Sequence, residues 1–287
     1  MSDHVMGDSG LGFAAWAQRY FAAKAGHDLD TLTGLFHPVI DYEDAVLCRR
    51  THGAQRMRAT YQHIFERAPA SAGSSLAWSA GDERGGAVQF SNDAGLFGAP
   101  MRVAAVIELD GGRVVRQRDY WDGRAIPAGT LTGLRTQYPC HLRPADLPVG
   151  QRRPRDAVLG AAAENFRSAL NSGAGLDQCL AEDAVLADLA CGLEIAGRST
   201  IAQFLADWPD RLPYGPGARE TNVVGGARGG GWEWAAAAEF SESVGAGLTA
   251  VRLTDDGLIA GLVFAWDASR LTGRDYARLP GGGAHRD

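Results

Sequence analysis

Lysine is almost absent from this sequence: Lys24 stands alone against 27 arginines among the 28 basic residues. With 38 glycines and abundant alanine, this points to a GC-rich coding sequence and bears on source rather than chemistry. The four cysteines, Cys48, Cys140, Cys179 and Cys191, form no C-x-x-C pair. That speaks against a zinc knuckle or a thioredoxin-type motif, and a reducing, cytoplasmic setting is expected. The seven histidines show neither H-x-x-x-H nor H-E-x-x-H spacing, so no metal site is expected. No 18 apolar residues run together and the start, MSDHVMGDSG, is polar, which leaves neither a membrane span nor a targeting segment to expect. A formal charge of -6 argues against nucleic-acid partners.

What is present is an ordinary globular composition, 45% hydrophobic and 22% charged, over 287 residues. The stretch YPCHLRPADLPVGQRRPRDA, residues 138–157, holds four prolines and has no helical or alternating period, as a connector would. On either side of it the same order of elements recurs. Asp44 superposes on Asp188, Gly53 on Gly197, Glu66 on Asp210 and Gln89 on Glu233, all 144 residues apart, while Trp121-Asp122 falls on Trp266-Asp267 at 145. A tandem duplication is expected, with domains over 1–142 and 157–287, a connector over 143–156, and a disordered tail PGGGAHRD.

Within the first half, Phe13, Trp16, Ala17, Tyr20 and Phe21 fall at i, i+3, i+4, i+7 and i+8, the apolar stripe of a long helix. Asp30 to Phe36 predicts a second, shorter helix ended by Pro38. Ile40 to Asp44 alternates as a strand with Ile40, Tyr42 and Asp44 on one face. A third helix is expected near residues 55–67. Strands follow at 87–90, 101–109 and 113–121, the last two joined by the turn Asp110-Gly111-Gly112. The expected class is α+β: two tandem conical barrels, each a curved mixed or antiparallel sheet wrapped around a long N-terminal helix, with any active site inside the cone.

The stretch WAQRYFAAKAGHDLDTLTGLFHPVIDYEDAVLCRRTHG and the later GGRVVRQRDYWD resemble the nuclear transport factor 2-like superfamily, in particular its ketosteroid isomerase branch and the SnoaL-like cyclases. The resemblance covers roughly residues 10–125 and, through the repeat, more faintly 157–270. It implies that the isomerase's oxyanion tyrosine falls on Tyr20 and its general-base aspartate on Asp44. The isomerase's second oxyanion donor, a protonated acid, falls near Ala105 and is missing. An acid at Asp119 resembles limonene epoxide hydrolase and the polyketide cyclases, although the hydrolase's R-x-D segment is here Val88-Gln89-Phe90. Tandem copies of this fold resemble polyether epoxide-opening cyclases, and the resemblance implies no cofactor. In the second half Asn165 takes the tyrosine's place and Phe264 that of Asp119.

The candidate catalytic residues are therefore Asp44, Tyr20, Asp119, Asp188 and Glu233, and the candidate substrate-binding residues are Trp121, Tyr42, Trp16, Gln89 and Trp266. Each has a plainer alternative. Asp44 could be a solvated strand-end carboxylate, Tyr20 core filler, and Asp119 the partner of Arg116 or Arg118 in an edge salt bridge. Asp41, Glu43 and Asp122 are expected in solvent; Glu66 and Asp210 are expected as surface caps or ion pairs, the alternative implied by the resemblance to epoxide-opening cyclases being acid pairs with Asp44 and Asp188. Glu233 faces the cavity only if Trp232 and Trp234 pack outside. The leading expectation is an acid/base enzyme of secondary metabolism that cyclises, opens an epoxide in, or isomerises an apolar polyketide or terpenoid intermediate. The alternatives are a lipid-like ligand carrier with one or both cones non-catalytic, and a steroid double-bond isomerase. Partners beyond a small apolar substrate are not expected, and the chain reads as a pseudo-dimeric monomer or a homodimer.

Overall fold

The computed structural model describes residues 12–135 and 156–280, so residues 143–155 of the expected connector and 281–287 of the expected disordered tail lie outside the described residues. Helix α1 (Phe13–Ala25) buries the apolar stripe its spacing demands, and with it Ala23 and Lys24. Helix α2 (Leu29–Gly34) starts where the Asp28 carboxylate accepts the Thr31 amide at 3.0 Å. Strand β1 (Phe36–Asp44) begins earlier than the alternation predicts, and Pro38 lies inside it rather than stopping a helix. The β1–β6 register shifts between Phe36 and Asp41, so the proline sits where the ladder is already irregular. The first half continues through β2 (Arg49–His52), α3 (Ala54–Phe65), β3 (Ser74–Asp82), β4 (Gly85–Asn92), α4 (Ala94–Phe97), β5 (Met101–Asp110), β6 (Arg113–Trp121) and α5 (Ala128–Leu134).

The second half repeats this as α6 (Ala157–Ser172), α7 (Leu176–Cys179), β7 (Leu180–Asp188), β8 (Leu193–Ala196), α8 (Arg198–Asp207), β9 (Arg219–Gly226), β10 (Gly229–Ala235), β11 (Ala246–Leu253) and β12 (Ile259–Trp266), closing with α9 (Gly273–Tyr276). Each half forms a six-stranded mixed sheet, ordered β2-β1-β6-β5-β4-β3 and β8-β7-β12-β11-β10-β9. Among the described residues neither sheet closes into the expected barrel: β2 and β3 are the edges of the first sheet, and β8 and β9 those of the second. The fold is α+β, two open mixed sheets in tandem.

The repeat holds to the level of single bonds. Parallel pairing puts Asp44 opposite Asp119 and Asp188 opposite Phe264. Gly53 and Gly197 precede the third helix of their halves at φ 85° and 91°, where a side chain is strained, and their amides bind Ile40 and Ala184 carbonyls, both at 2.8 Å.

Each cone has its own apolar core, and a third cluster lies between the sheets' outer faces. There Ala87, Ala104, Val106 and Tyr120 of the first half meet Leu248, Ala250, Val263 and Ala265 of the second. Both faces of each sheet are thus covered, one by its helices and one by the other half. The close approach needs small residues: a Cβ at Gly231 would stand 3.2 Å from that of Ala87. Glu43 is not in solvent but pairs with Arg118 at 2.8 Å. Cys48 is disulfide-bonded, whereas Cys179 and Cys191 are free. Pairing of distant cysteines is set by the tertiary fold, on which spacing along the chain is silent. No helix among the described residues is long and apolar enough to cross a membrane.

Candidate functional site

Parallel register and the two-residue strand period together build the first cone's wall. Asp44 and Asp119 are direct neighbours across β1 and β6, Tyr42 shares a face with Asp44, and Trp121 shares one with Asp119. All four line a cavity of about 120 Å³, whose wall also includes Lys24, Tyr61 and Met57. Asp44 turns the chain out of β1: its Oδ1 accepts the amides of Val46 at 3.0 Å and Leu47 at 2.8 Å. The Trp121 indole donates to both Asp44 oxygens at 3.1 Å. Asp119 accepts from Gln117 Nε2 at Oδ1 (2.8 Å) and from the Tyr42 hydroxyl at Oδ2 (3.1 Å). Arg116 and Arg118 point away to the opposite face, so the edge salt bridge considered for Asp119 does not form.

Burial raises both carboxyls. The Asp44 carboxyl is pushed up to about 7, because desolvation and the Asp119 charge outweigh the Leu47 and Val46 amides and the indole. Asp119 is likewise raised by burial, against the pull of Lys24 and its two donors. Neighbouring buried acids of this kind titrate as a pair. For Asp44 the sign is that of a group whose proton the folded state holds more tightly. Its contribution to stability is fully present below the unfolded carboxyl value near 4 and is lost as pH rises to about 7. Asp44→Asn should therefore flatten the decline of Tm between pH 4 and pH 7. A thermal-melt series that keeps the same slope in the variant would show that Asp44 ionises freely.

Residues 17–117 match the family model of the SnoaL-like domain. The first half is a SnoaL-like domain. No curated protein matches the sequence. Among solved structures, similarity extends to an LEH-like epoxide hydrolase of M. tuberculosis at 20% identity, covering 42% of this chain and 90% of that one, with a TM-score of 0.34. A hypothetical protein with a ketosteroid isomerase-like fold from Catenulispora acidiphila is similar at 14% identity, covering 37% of this chain and 83% of that one, TM-score 0.33. An NTF-2 like protein of unknown function from Burkholderia xenovorans is similar at 18% identity, over 37% and 80% of the two chains, TM-score 0.33.

Three of the expected site residues of the SnoaL-like domain stand off its cavity wall. Tyr20 is wholly buried behind the wall, where its hydroxyl donates to Gln117 Oε1 at 3.2 Å and so accepts from Tyr61 at 3.0 Å. The Trp16 indole donates to the Gly112 carbonyl at 3.0 Å, and the ring stacks on Phe13 and Tyr20. Gln89 points to the other face of the sheet and accepts from Trp78 Nε1 at 2.6 Å. Glu66 bonds Gln62 on the surface, and Asp210 is exposed, as expected of caps.

In the second half the equivalent constellation is closed. Asp188 repeats the turn of Asp44, accepting the Ala190 and Cys191 amides at 2.9 and 2.8 Å and the Trp266 indole at 3.2 Å, but it is 0% exposed. Its Oδ2, which also takes the Trp266 indole at 3.2 Å, accepts from the Tyr214 hydroxyl at 2.8 Å, and the Tyr214 ring stacks on Phe264 with centroids 3.7 Å apart. Trp232 and Trp234 pack inside the cone, leaving a void of about 30 Å³, room for roughly one water. Glu233, between them, therefore points outward, so its expected catalytic place is corrected. It receives Arg116 at 2.7 and 2.8 Å, Tyr120 at 2.8 Å and Asn222 at 2.9 Å between the two sheets. Asp188→Ala should cost about 3 kcal/mol or more, because it strands buried donors in a closed core. A denaturation midpoint within experimental error of the parent's would refute that bracing role.

Lys24, Tyr61 and Gln117 were not picked out by sequence reasoning. Lys24 did carry a signal: it lies four residues after Tyr20 and three after Phe21, on the apolar stripe itself, where a basic residue must be buried or partnered. Gln117 precedes Asp119 by one strand period and shares its face, a placement the alternation already contains. Tyr61, on α3, had no such marker. Among the described residues, no group of three or more His, Cys, Asp or Glu side chains is placed to hold a metal ion.

Proposed function

We propose that the SnoaL-like domain is an acid/base enzyme that needs no cofactor, with the second half serving as its scaffold. The observation that carries this reading is the pair Asp44 and Asp119: register partners, both buried, both raised, on one cavity wall. Asp44, pushed up to about 7, takes a proton from the substrate near neutral pH. Asp119, its proton affinity raised by burial, returns one from the same wall. Tyr42 orients Asp119, and Tyr20 acts one step back by fixing Gln117 and Tyr61 rather than by touching substrate.

Ala105, where the resemblance to the isomerase would require a second oxyanion acid, pairs directly with Asp119 across β5 and β6. The acid is thus supplied from the neighbouring strand, which favours epoxide opening, ring closure or a double-bond shift with altered geometry over steroid isomerisation as such. The substrate is an apolar polyketide or terpenoid intermediate whose reacting portion enters the cavity; about 120 Å³ holds less than a benzene ring, which takes a cavity of about 150 Å³.

The test is incubation with a panel of small epoxides and β,γ-unsaturated ketones in D₂O, following product and deuterium incorporation. Product formation by the parent, lost in Asp44→Asn and Asp119→Asn, is expected. Tight binding with no product and no exchange over long incubation would leave a carrier of lipid-like ligands instead.

A further inference from the structure

We infer that Lys24 is an imine-forming amine that captures a small neutral aldehyde or ketone in the first cone. The chain uses arginine at 27 basic positions and lysine at one. That one position is on the wall of the cavity, 8% exposed. Arginine stays protonated and cannot attack a carbonyl, whereas a lysine can lose its proton and do so. At a site needing only positive charge, the chain's usual choice would serve.

The surroundings fit this chemistry. Among the described residues no hydrogen bond or salt bridge holds Lys24 Nζ, although the Asp119 charge favours its ammonium form. It sits instead over rings: Phe90 at 4.5 Å, Phe21 at 5.2 Å, Tyr20 at 5.8 Å and Tyr61 at 5.9 Å. Burial lowers its pKa to about 8, with Asp119 pulling the other way, so a usable fraction is free amine near neutral pH. The acidic groups of the same cavity, Asp44 and Asp119, disfavour an anionic ligand, and a volume of about 120 Å³ limits a neutral one to a carbonyl compound smaller than benzene, such as propanal.

The step balances within the cavity. The Nζ lone pair forms the C–N bond as the carbonyl electron pair moves to oxygen, which takes the Asp119 proton. The resulting ammonium proton returns to Asp119, giving a neutral carbinolamine. Asp119 then protonates the hydroxyl, the C–O bond breaks, and water leaves with that electron pair. An iminium remains beside the Asp119 carboxylate, with the four rings stabilising its positive charge as they would an ammonium. This inference is independent of the acid/base turnover proposed above, since it is read by mass rather than by product.

The whole chain is incubated with propanal and cyanoborohydride near pH 7, followed by intact mass and peptide mapping. One propyl group on Lys24 is expected, forming at least roughly tenfold faster than on the same lysine in the urea-unfolded chain or on the chain's α-amine, because the cavity pre-orients the reactants. Lys24→Arg and Lys24→Met should fold, as judged by circular dichroism, and show labelling at the α-amine only. Equal labelling of folded and unfolded chains, or an unlabelled Lys24 in the parent, overturns the inference. So does propanal binding in Lys24→Arg that matches a parent forming no adduct, which marks simple non-covalent occupancy.

Discussion

Glu233→Ala is expected to lower stability by about 3–5 kcal/mol, because it leaves a buried guanidinium with half its compensation. Arg116 would keep Glu108 at 3.0 Å but lose both Glu233 contacts, and the Tyr120 hydroxyl and an Asn222 amide hydrogen would lose an acceptor at the same stroke. Burial alone would raise the Glu233 carboxyl, yet Arg116 and Arg118, helped by Asn222 and Tyr120, bring it down to about 2. A depressed acid stabilises the fold above its unfolded value and loses that contribution only as pH falls toward 2, opposite in sign to Asp44. For a chain of this size the loss corresponds to a fall in Tm on the order of 10 °C. Calorimetry at neutral pH decides: a variant melting within 2 °C or so of the parent would mean that the contact between the sheets is held by the apolar cluster alone.

Asp44→Asn is expected to reduce turnover by about 10²–10⁴-fold, the range for removing a positioned general base. The substitution also replaces one acceptor oxygen by an amide donor facing the Trp121 indole, so some loss of stability accompanies it. Trp121→Phe separates the two effects. It removes the indole donor that favours the ionised form and leaves the carboxyl in place, so the Asp44 limb of the pH–rate profile should move upward while turnover above that limb persists. If Asp44→Asn retained full turnover, or Trp121→Phe left the profile unmoved, proton abstraction would have to belong to Asp119.

The largest features of this molecule were legible in the linear order of residues. The offset of 144–145 between Asp44 and Asp188 or Trp121 and Trp266 became two sheets of identical strand order. The two-residue period correctly grouped Tyr42 with Asp44 and Asp119 with Trp121. Short, irregular elements were missed: β2 and β3 carry little alternation, and Pro38 entered a strand because the adjacent ladder is interrupted.

Periodicity determined which residues share a face, because alternation and the helical repeat are properties of the local backbone. Only the tertiary structure decided what each face meets. Both faces of these sheets are buried, so apolar content could not tell cavity from contact between halves, and Gln89 and Glu233 were assigned to the wrong one. The same holds for Tyr20, placed behind the wall by its bond to Gln117, and for Lys24, placed on it. Whether a cone is open was decided last: Tyr214 lies flat on Phe264 and with Trp232 and Trp234 fills the second, while Asp119 occupies the register of Phe264 in the first, which keeps its cavity.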